Sequence, residues 1–218
     1  MARAIKHKKK LFIFDLDGTL ADVYTAIERS LNFTRNILGY SNVSYRVIKR
    51  GVGRGDRLFI EAFFEPEDTI RALRIFRKHH KESVMRYSRP MPFAKQLLRK
   101  LKERRKYVAI ASNRPTVFTN RILRVLDIRK YIDYVLCADK AKRIKPYPDI
   151  LINIIRRFKV SPEDTVYVGD MAIDLEAARR AKIDGVFVKG GSGVVKEARA
   201  YRKAIIVSSI REVLHIYE

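Results

Sequence analysis

Short apolar runs and amphipathic stretches alternate along most of this chain. Lys10 to Phe14, Tyr107 to Ala111, Tyr134 to Cys137, Thr165 to Val168, Gly185 to Val188 and Ala204 to Val207 are short and rich in β-branched or aromatic residues. They have the length of buried strands. Between them, apolar residues recur at helical spacing: Ala94, Leu97, Leu98 and Leu101; Phe118, Ile122, Val125 and Leu126; Leu151, Ile154, Ile155 and Phe158. Ser161-Pro162 reads as a cap followed by proline in the first position of a short turn. Ser209 is placed to cap a last helix carrying Val213 and Leu214. Strands that alternate with amphipathic helices predict an α/β fold, a doubly wound parallel sheet covered on both faces.

One stretch breaks the alternation. Residues 22–88 show no strand pattern. Ile27, Leu31, Thr34 and Leu38 share a helix face that Gly39 would end, and Ile70, Leu73, His80, Val84 and Tyr87 predict a long helix after Pro66. Arg89-Pro90-Met91-Pro92 marks a boundary, because proline disfavours helix in the residue before it. The expected organisation is an α/β core of residues 1–21 and 89–218 with an all-helical insert over 22–88, joined by linkers near Asp22 and Pro90.

Composition narrows the class. With 218 residues and 47% hydrophobic positions the chain can bury a core, which excludes a disordered protein. No run of about 18 apolar residues is present, so no membrane span is expected. The single cysteine, Cys137, excludes an internal disulfide framework and reads as a buried small hydrophobe. Four residues separate Lys10 from Asp15, too few for the apolar segment of a secretion signal, and a cytoplasmic location follows. Lys and Arg number 47 against 24 Asp and Glu, a net charge of +23, which hints at nucleic-acid or anion binding. The basic residues are spread out, densest at Lys6 to Lys10 and Lys100 to Lys106, and no zinc finger, helix-turn-helix or aromatic RNA-binding motif accompanies them. With a single Gln (Gln96) and 33% charged residues, the favoured reading is the solvated surface of a heat-adapted protein rather than a nucleic-acid partner.

The polar residues that could do chemistry fall after the strands. The first run ends in Asp15-Leu16-Asp17-Gly18-Thr19, and ligands of a parallel α/β sheet bind beyond the carboxyl ends of its strands. Two carboxylates spaced by one residue repel unless a divalent cation with oxygen ligands offsets them. A second acidic group, Asp170 with Asp174, follows the fourth run; Ser112-Asn113 follows the second; Lys145 precedes a helix. Carboxylates, a divalent cation and a lysine together suit phosphoryl transfer, where charge is held and oriented.

In this order and placement the motifs resemble those of haloacid dehalogenase superfamily phosphatases. Asp15-Leu16-Asp17-Gly18-Thr19-Leu20 is similar to the first motif, Ser112 to the second, Lys145 to the third, and Gly169-Asp170 with Asp174 to the fourth. Ser112-Asn113-Arg114-Pro115 and Lys145-Pro146-Tyr147-Pro148-Asp149 resemble the branch of phosphoglycolate phosphatase and β-phosphoglucomutase, whose helical cap follows the first motif. The resemblance implies a Rossmann-like core, an Asp15 nucleophile that forms an aspartyl-phosphate, and Asp17 as general acid and then base. It implies Ser112 and the Asn113 backbone N–H on a phosphate oxygen, and Lys145 neutralising the phosphoryl group. Mg2+ would be held by Asp15, the Asp17 backbone carbonyl and Asp170, with Asp174 supporting. Gly18 would let backbone pack closely beside the phosphate, and Thr19 would orient Asp17. Because Asp17 is kept, phosphate-ester chemistry is expected over carbon–halogen or carbon–phosphorus cleavage.

Substrate choice is expected in the insert. Gly51-Val52-Gly53-Arg54-Gly55-Asp56-Arg57 offers a compliant turn, and Arg54 and Arg57 are candidates for an anionic leaving group. His80 is expected to pack inside the insert, and Gly190-Gly191-Ser192-Gly193 to form a flexible turn after a strand. The expected activity is Mg2+-dependent hydrolysis of a small phosphorylated metabolite, 2-phosphoglycolate first, by a monomer or homodimer. A phosphomutase, a nucleotidase, a pyrophosphatase and, from another class, a basic nucleic-acid-binding protein are the alternatives.

Overall fold

A computed structural model describes residues 8–217. Part of the basic run Lys6 to Lys10, at positions 6 and 7, lies outside the described residues. In chain order the elements are β1 (Leu11–Phe14), β2 (Ala21–Asp22), α1 (Tyr24–Ile37), α2 (Tyr45–Gly51), α3 (Asp56–Glu61), α4 (Thr69–Tyr87), β3 (Arg89–Pro90), α5 (Ala94–Glu103), β4 (Tyr107–Ser112), α6 (Thr116–Val125), β5 (Tyr134–Cys137), α7 (Asp149–Phe158), β6 (Thr165–Gly169), α8 (Ala172–Arg180), β7 (Asp184–Val188), α9 (Val195–Ala198), β8 (Ile205–Val207) and α10 (Glu212–Ile216).

Six strands form one parallel sheet in the order β5-β4-β1-β6-β7-β8. The apolar runs follow from this arrangement, since a central parallel strand is buried on both faces. On β1, Phe12 and Phe14 join a cluster with Leu97, Leu98 and Leu101 of α5 and Ile122 and Leu123 of α6. Leu11 and Ile13 face the other way, into a cluster with Ile150, Leu151 and Ile154 of α7 and Ala177 and Ala178 of α8. Each such Leu, Ile or Phe contributes about 1.5–3 kcal/mol by leaving water. Chain connections leave β1 toward β4 and leave β6 toward β7, so the sheet changes direction between β1 and β6. The loops after β1, β4 and β6 meet at that point, the usual crevice of doubly wound sheets.

Helices α1 to α4 intervene between β2 and β3, which pair antiparallel as Ala21 with Pro90 and Asp22 with Arg89. The two linkers expected near Asp22 and Pro90 pair with each other in this ladder, which at two residues per strand is too short to leave a periodic trace. Along α4 the buried face is Ala72, Phe76, His80 and Val84, spaced four apart on one side of the helix. Ile70 lies outside it and is 75% exposed, and on α6 Val125 is exposed while Thr119 and Leu123 turn inward. Both had apolar character at helical spacing, but the direction of the neighbouring core decides which positions are covered. Near the carboxyl end of the chain, the Ser209 hydroxyl accepts the Arg211 N–H at 3.3 Å, as expected of a cap, and the Glu212 carboxylate reaches back to accept the backbone N–H groups of Ser208 and Ser209 at 2.8 and 3.0 Å. Among the described residues no helix is long and apolar enough to cross a membrane.

Candidate active site

Asp15 continues the β1 ladder by one step: its N–H donates to the Val168 carbonyl at 2.8 Å. This delivers its buried carboxylate to the crevice. Lys145 Nζ lies 2.7 Å from Asp15 Oδ1, 2.8 Å from Asp174 Oδ1 and 2.8 Å from the Tyr167 hydroxyl. These three partners use all three ammonium donors. The Tyr167 hydroxyl, on β6, lies 3.0 Å from both the Ala111 carbonyl and Asp174 Oδ1, which share its one proton and tie the group to β4. The other Asp174 oxygen accepts the Met171 N–H at the start of α8. Sequence reading gave Tyr167 no role beyond an apolar strand position.

Asp15, Asp170 and Asp174 each place a carboxylate oxygen within 4.8 Å of the others. Asp170 is set by the loop after β7: the N–H and hydroxyl of Ser192 donate to its Oδ2 at 2.7 and 3.2 Å. A side chain on Gly191 would begin 1.9 Å from that oxygen, and one on Gly193 would begin 1.9 Å from the Asp170 carbonyl. The Gly190–Gly193 segment is therefore a close-fitting support for Asp170, not the flexible turn expected. Gly18, at φ +77°, packs equally tightly, with a Cβ there falling 2.6 Å from the Asp170 carboxylate and 2.2 Å from the Tyr24 hydroxyl. The Thr19 hydroxyl reaches Asp170 Oδ1 at 3.5 Å. It does not orient Asp17, as had been expected.

Crowding and burial shape the charges. Burial pushes the Asp15 carboxyl well above the usual range; Lys145 opposes this, while the charges of Asp174 and Asp170 add to it. Asp170 is pushed up to about 7, by burial first and then by Asp174. Burial alone would lower Lys145, but Asp15 and Asp174 hold its ammonium above the ordinary value.

Asp17 is held from the other side of the crevice. Arg114, two residues after β4, grips its carboxylate bidentately: Nε lies 3.0 Å from Oδ1, and NH2 lies 2.7 Å from Oδ2. Arg114 NH1 also donates to His80 Nε2 of α4 at 2.8 Å. Ser112 is buried, and its Oγ accepts the Arg114 backbone N–H at 3.2 Å. The Asn113 side chain joins three segments: its amide donates to the carbonyls of Gly53 and Lys145 at 3.0 Å each, and its oxygen accepts the Lys145 N–H at 2.9 Å. Asp15, Asp17, Ser112, Asn113, Lys145, Arg114 and His80 line a common cavity of about 50 Å³, room for a few waters. Ile27, Val52, Phe59, Phe76 and Phe118 close its far wall.

The glycine-rich loop of the insert contributes differently from expectation. Gly53 and Gly55 line the cavity, and a Cβ at Gly53, where φ is +115°, would fall 2.1 Å from Met171 Sδ. Its arginines point away: Arg54 is exposed, and the Arg57 side chain is 78% exposed and paired with Glu61 at 2.9 Å. The loop thus uses glycine for close approach to the core. Arg54→Ala and Arg57→Ala are expected to leave kcat/KM within about twofold of the parent, the usual reach of a surface change; a loss on anionic substrates only, measured by steady-state kinetics, would restore them to the site. The arginine in the cavity wall is instead Arg114, present in Ser112-Asn113-Arg114-Pro115 but given no role from sequence. Its contacts lie far along the chain, where local pattern carries no signal.

Comparison with known proteins agrees with this architecture. Residues 12–188 match the family described as haloacid dehalogenase-like hydrolase. The chain is 29% identical over 172 residues to a phosphoglycolate phosphatase of Aquifex aeolicus, covering 79% of this chain and 81% of that one. It is 27% identical over 217 residues to a phosphoglycolate phosphatase of Colwellia psychrerythraea, covering 95% and 96%. The structure of a predicted phosphoglycolate phosphatase from Haemophilus somnus shares the fold with a TM-score of 0.88 at 22% identity, over 96% of this chain and 98% of that one.

Proposed function

The chain belongs to the haloacid dehalogenase-like hydrolase family and is a phosphatase of that family, and on that premise we propose that it is a Mg2+-dependent cytoplasmic enzyme that hydrolyses a small phosphate monoester, 2-phosphoglycolate first. The observation that carries this reading is the pairing of two differently held carboxylates on one cavity: Asp15 on Lys145, and Asp17 on Arg114. An Asp15 oxygen attacks phosphorus, the ester P–O bond breaks, and the Asp17 proton passes to the leaving oxygen. Water then attacks the aspartyl-phosphate, gives a proton to Asp17, and the P–O bond to Asp15 breaks. Ser112 and Asn113 bind phosphate oxygens, and residues 22–88 form the cap that closes the site and chooses the substrate.

The residues fit a hard divalent cation. Four buried or nearly buried carboxylates (Asp15, Asp17, Asp170 and Asp174) face two cations (Lys145 and Arg114), an excess of two carboxylates in a site of oxygen donors. Asp15, Asp170 and the Asp17 carbonyl would hold Mg2+, with Asp174 one step behind, its oxygens given to Lys145, Tyr167 and the Met171 N–H. When bound, Mg2+ neutralises the phosphoryl oxygens and the carboxylate repulsion.

Two measurements test this. Phosphate release from 2-phosphoglycolate, sugar phosphates, nucleotides, pyrophosphate and p-nitrophenyl phosphate is expected with Mg2+ for one small ester above the rest, and to vanish with EDTA. Release from none of the esters sinks the proposal. The second is pH-resolved thermal unfolding. Asp170 titrates at about 7 in the folded chain against an ordinary value of 3.8, so between these values the folded chain carries the extra proton. Its contribution is full below about pH 4 and is lost as pH rises through about 7. Millimolar Mg2+ is therefore expected to raise Tm more at pH 8 than at pH 5, where it must displace that proton, and not at all in Asp170→Ala. An equal rise at both pH values in parent and variant would contradict the assignment.

A further inference from the structure

We propose that Arg114 and His80 are positioning residues: His80, on the helical insert, holds the Arg114 guanidinium, and Arg114 fixes the Asp17 carboxylate in the cavity, so that contact between insert and core sets the acid–base group. The inference rests on the phosphatase reading above. Arginine only donates, so His80 Nε2 must accept from Arg114 NH1. A neutral imidazole then carries its hydrogen on Nδ1, which lies 3.0 Å from Ser30 Oγ, and the Ser30 hydroxyl donates to the Ala26 carbonyl at 2.8 Å. Donation runs outward from Arg114, to Asp17 on one side and through His80 and Ser30 to the Ala26 carbonyl of α1 on the other. Burial and the Arg114 charge both hold His80 well below its usual range, in keeping with a neutral ring.

The guanidinium plane is fixed by Asp17 at one edge and His80 at another, and Phe76 and Phe118 fix the His80 ring at centroid distances of 4.8 and 5.1 Å. These rings, with Phe59, Ile27 and Val52, form an apolar wall beside the Arg114–Asp17 pair, whose side chains are 8% and 12% exposed and so little screened. If the insert swings away, His80 leaves with α4 and the guanidinium keeps Asp17 alone of these two anchors. A packed histidine inside the insert would need no acceptor facing the core; this one places Nε2 on the cation that grips Asp17.

The test separates Asp17 chemistry from general damage. Nitrophenolate leaves without a proton, whereas an alkoxide needs one and breakdown of the aspartyl-phosphate needs a base. Arg114→Ala is expected to lower kcat on the best alkyl ester on the order of 10²-fold, the reach of one acid–base group, with KM little changed. Its rapid-quench burst of nitrophenolate should keep parental rate and amplitude, the amplitude counting folded sites. His80→Leu, which packs but accepts nothing, should lose on the order of tenfold, and His80→Gln, whose amide oxygen can accept from Arg114, should recover most of it. A burst slowed as much as steady-state turnover, parental kcat in Arg114→Ala, or His80→Gln no better than His80→Leu would each overturn the inference. If the parent enzyme itself gives neither burst nor phosphate, the phosphatase reading fails first, and it fails before any variant is compared.

Discussion

Asp15→Asn is expected to abolish turnover, a loss on the order of 10³-fold or more, because an amide cannot take the phosphoryl group. The fold should survive. Asp15 is buried among Asp17, Asp170 and Asp174, and its carboxyl is already pushed well above the usual range by burial and these neighbours. A neutral amide of nearly the same shape removes that repulsion and can still accept from Lys145, 2.7 Å away. Steady-state phosphate release read beside thermal unfolding checks both halves: activity lost, Tm within a few degrees of the parent or above it. Residual activity near the parental level would remove Asp15 from the mechanism.

Lys145→Met is expected to damage both activity and stability. The lysine side chain is 2% exposed and its ammonium bonds Asp15, Asp174 and Tyr167. Methionine fills similar space and leaves two buried carboxylates without their cation. Breaking a buried pair from one side costs about 3–5 kcal/mol, which at this chain length lowers Tm on the order of 10 °C. The penalty should depend on pH. Asp15 already resists ionisation, and without the ammonium it resists it more. At low pH it takes up a proton in the folded state and its unpaired charge disappears. The Tm deficit should therefore shrink as pH falls from 8 toward 5; a deficit independent of pH would mean that packing, not charge, is lost. Turnover should fall on the order of 10²-fold or more at every pH, since a preorganised cation facing the phosphoryl group is removed.

Most of the sheet was legible because its residues state their own environment. Thr165 to Val168 and Tyr134 to Cys137 are apolar on both faces, and only a strand covered on both sides accommodates that. Asp15, Ser112 and Asp170 were placed at strand ends by the same reading, and the parallel register brings those ends together. What escaped depends on contacts distant in sequence. Arg114 meets Asp17 from the β4 loop and His80 from α4, and no local pattern joins these three positions. The Gly51 to Arg57 loop misled because glycine spacing and arginine chemistry were read together. Close approach to Met171 explains the glycine at 53 and a φ of +87° the one at 55, while the arginines face water. Thr19 and Ser192 both serve Asp170, a link visible only once the loops after β1 and β7 are side by side. The paired strands at Ala21 and Pro90 are shorter than any periodicity can report.

The central claim is that phosphoryl transfer passes through Asp15, with Asp17 handling the proton. Acid quench within one turnover, followed by mass mapping of peptides, tests it most directly, using the ester that the substrate panel selects and Asp17→Asn to slow breakdown of the intermediate. The account predicts one added phosphoryl group on Asp15, absent in Asp15→Asn and discharged when the parent enzyme is chased with water. Phosphate released at full rate with no protein-bound phosphoryl group, or a phosphoryl group mapped to any residue but Asp15, would contradict it.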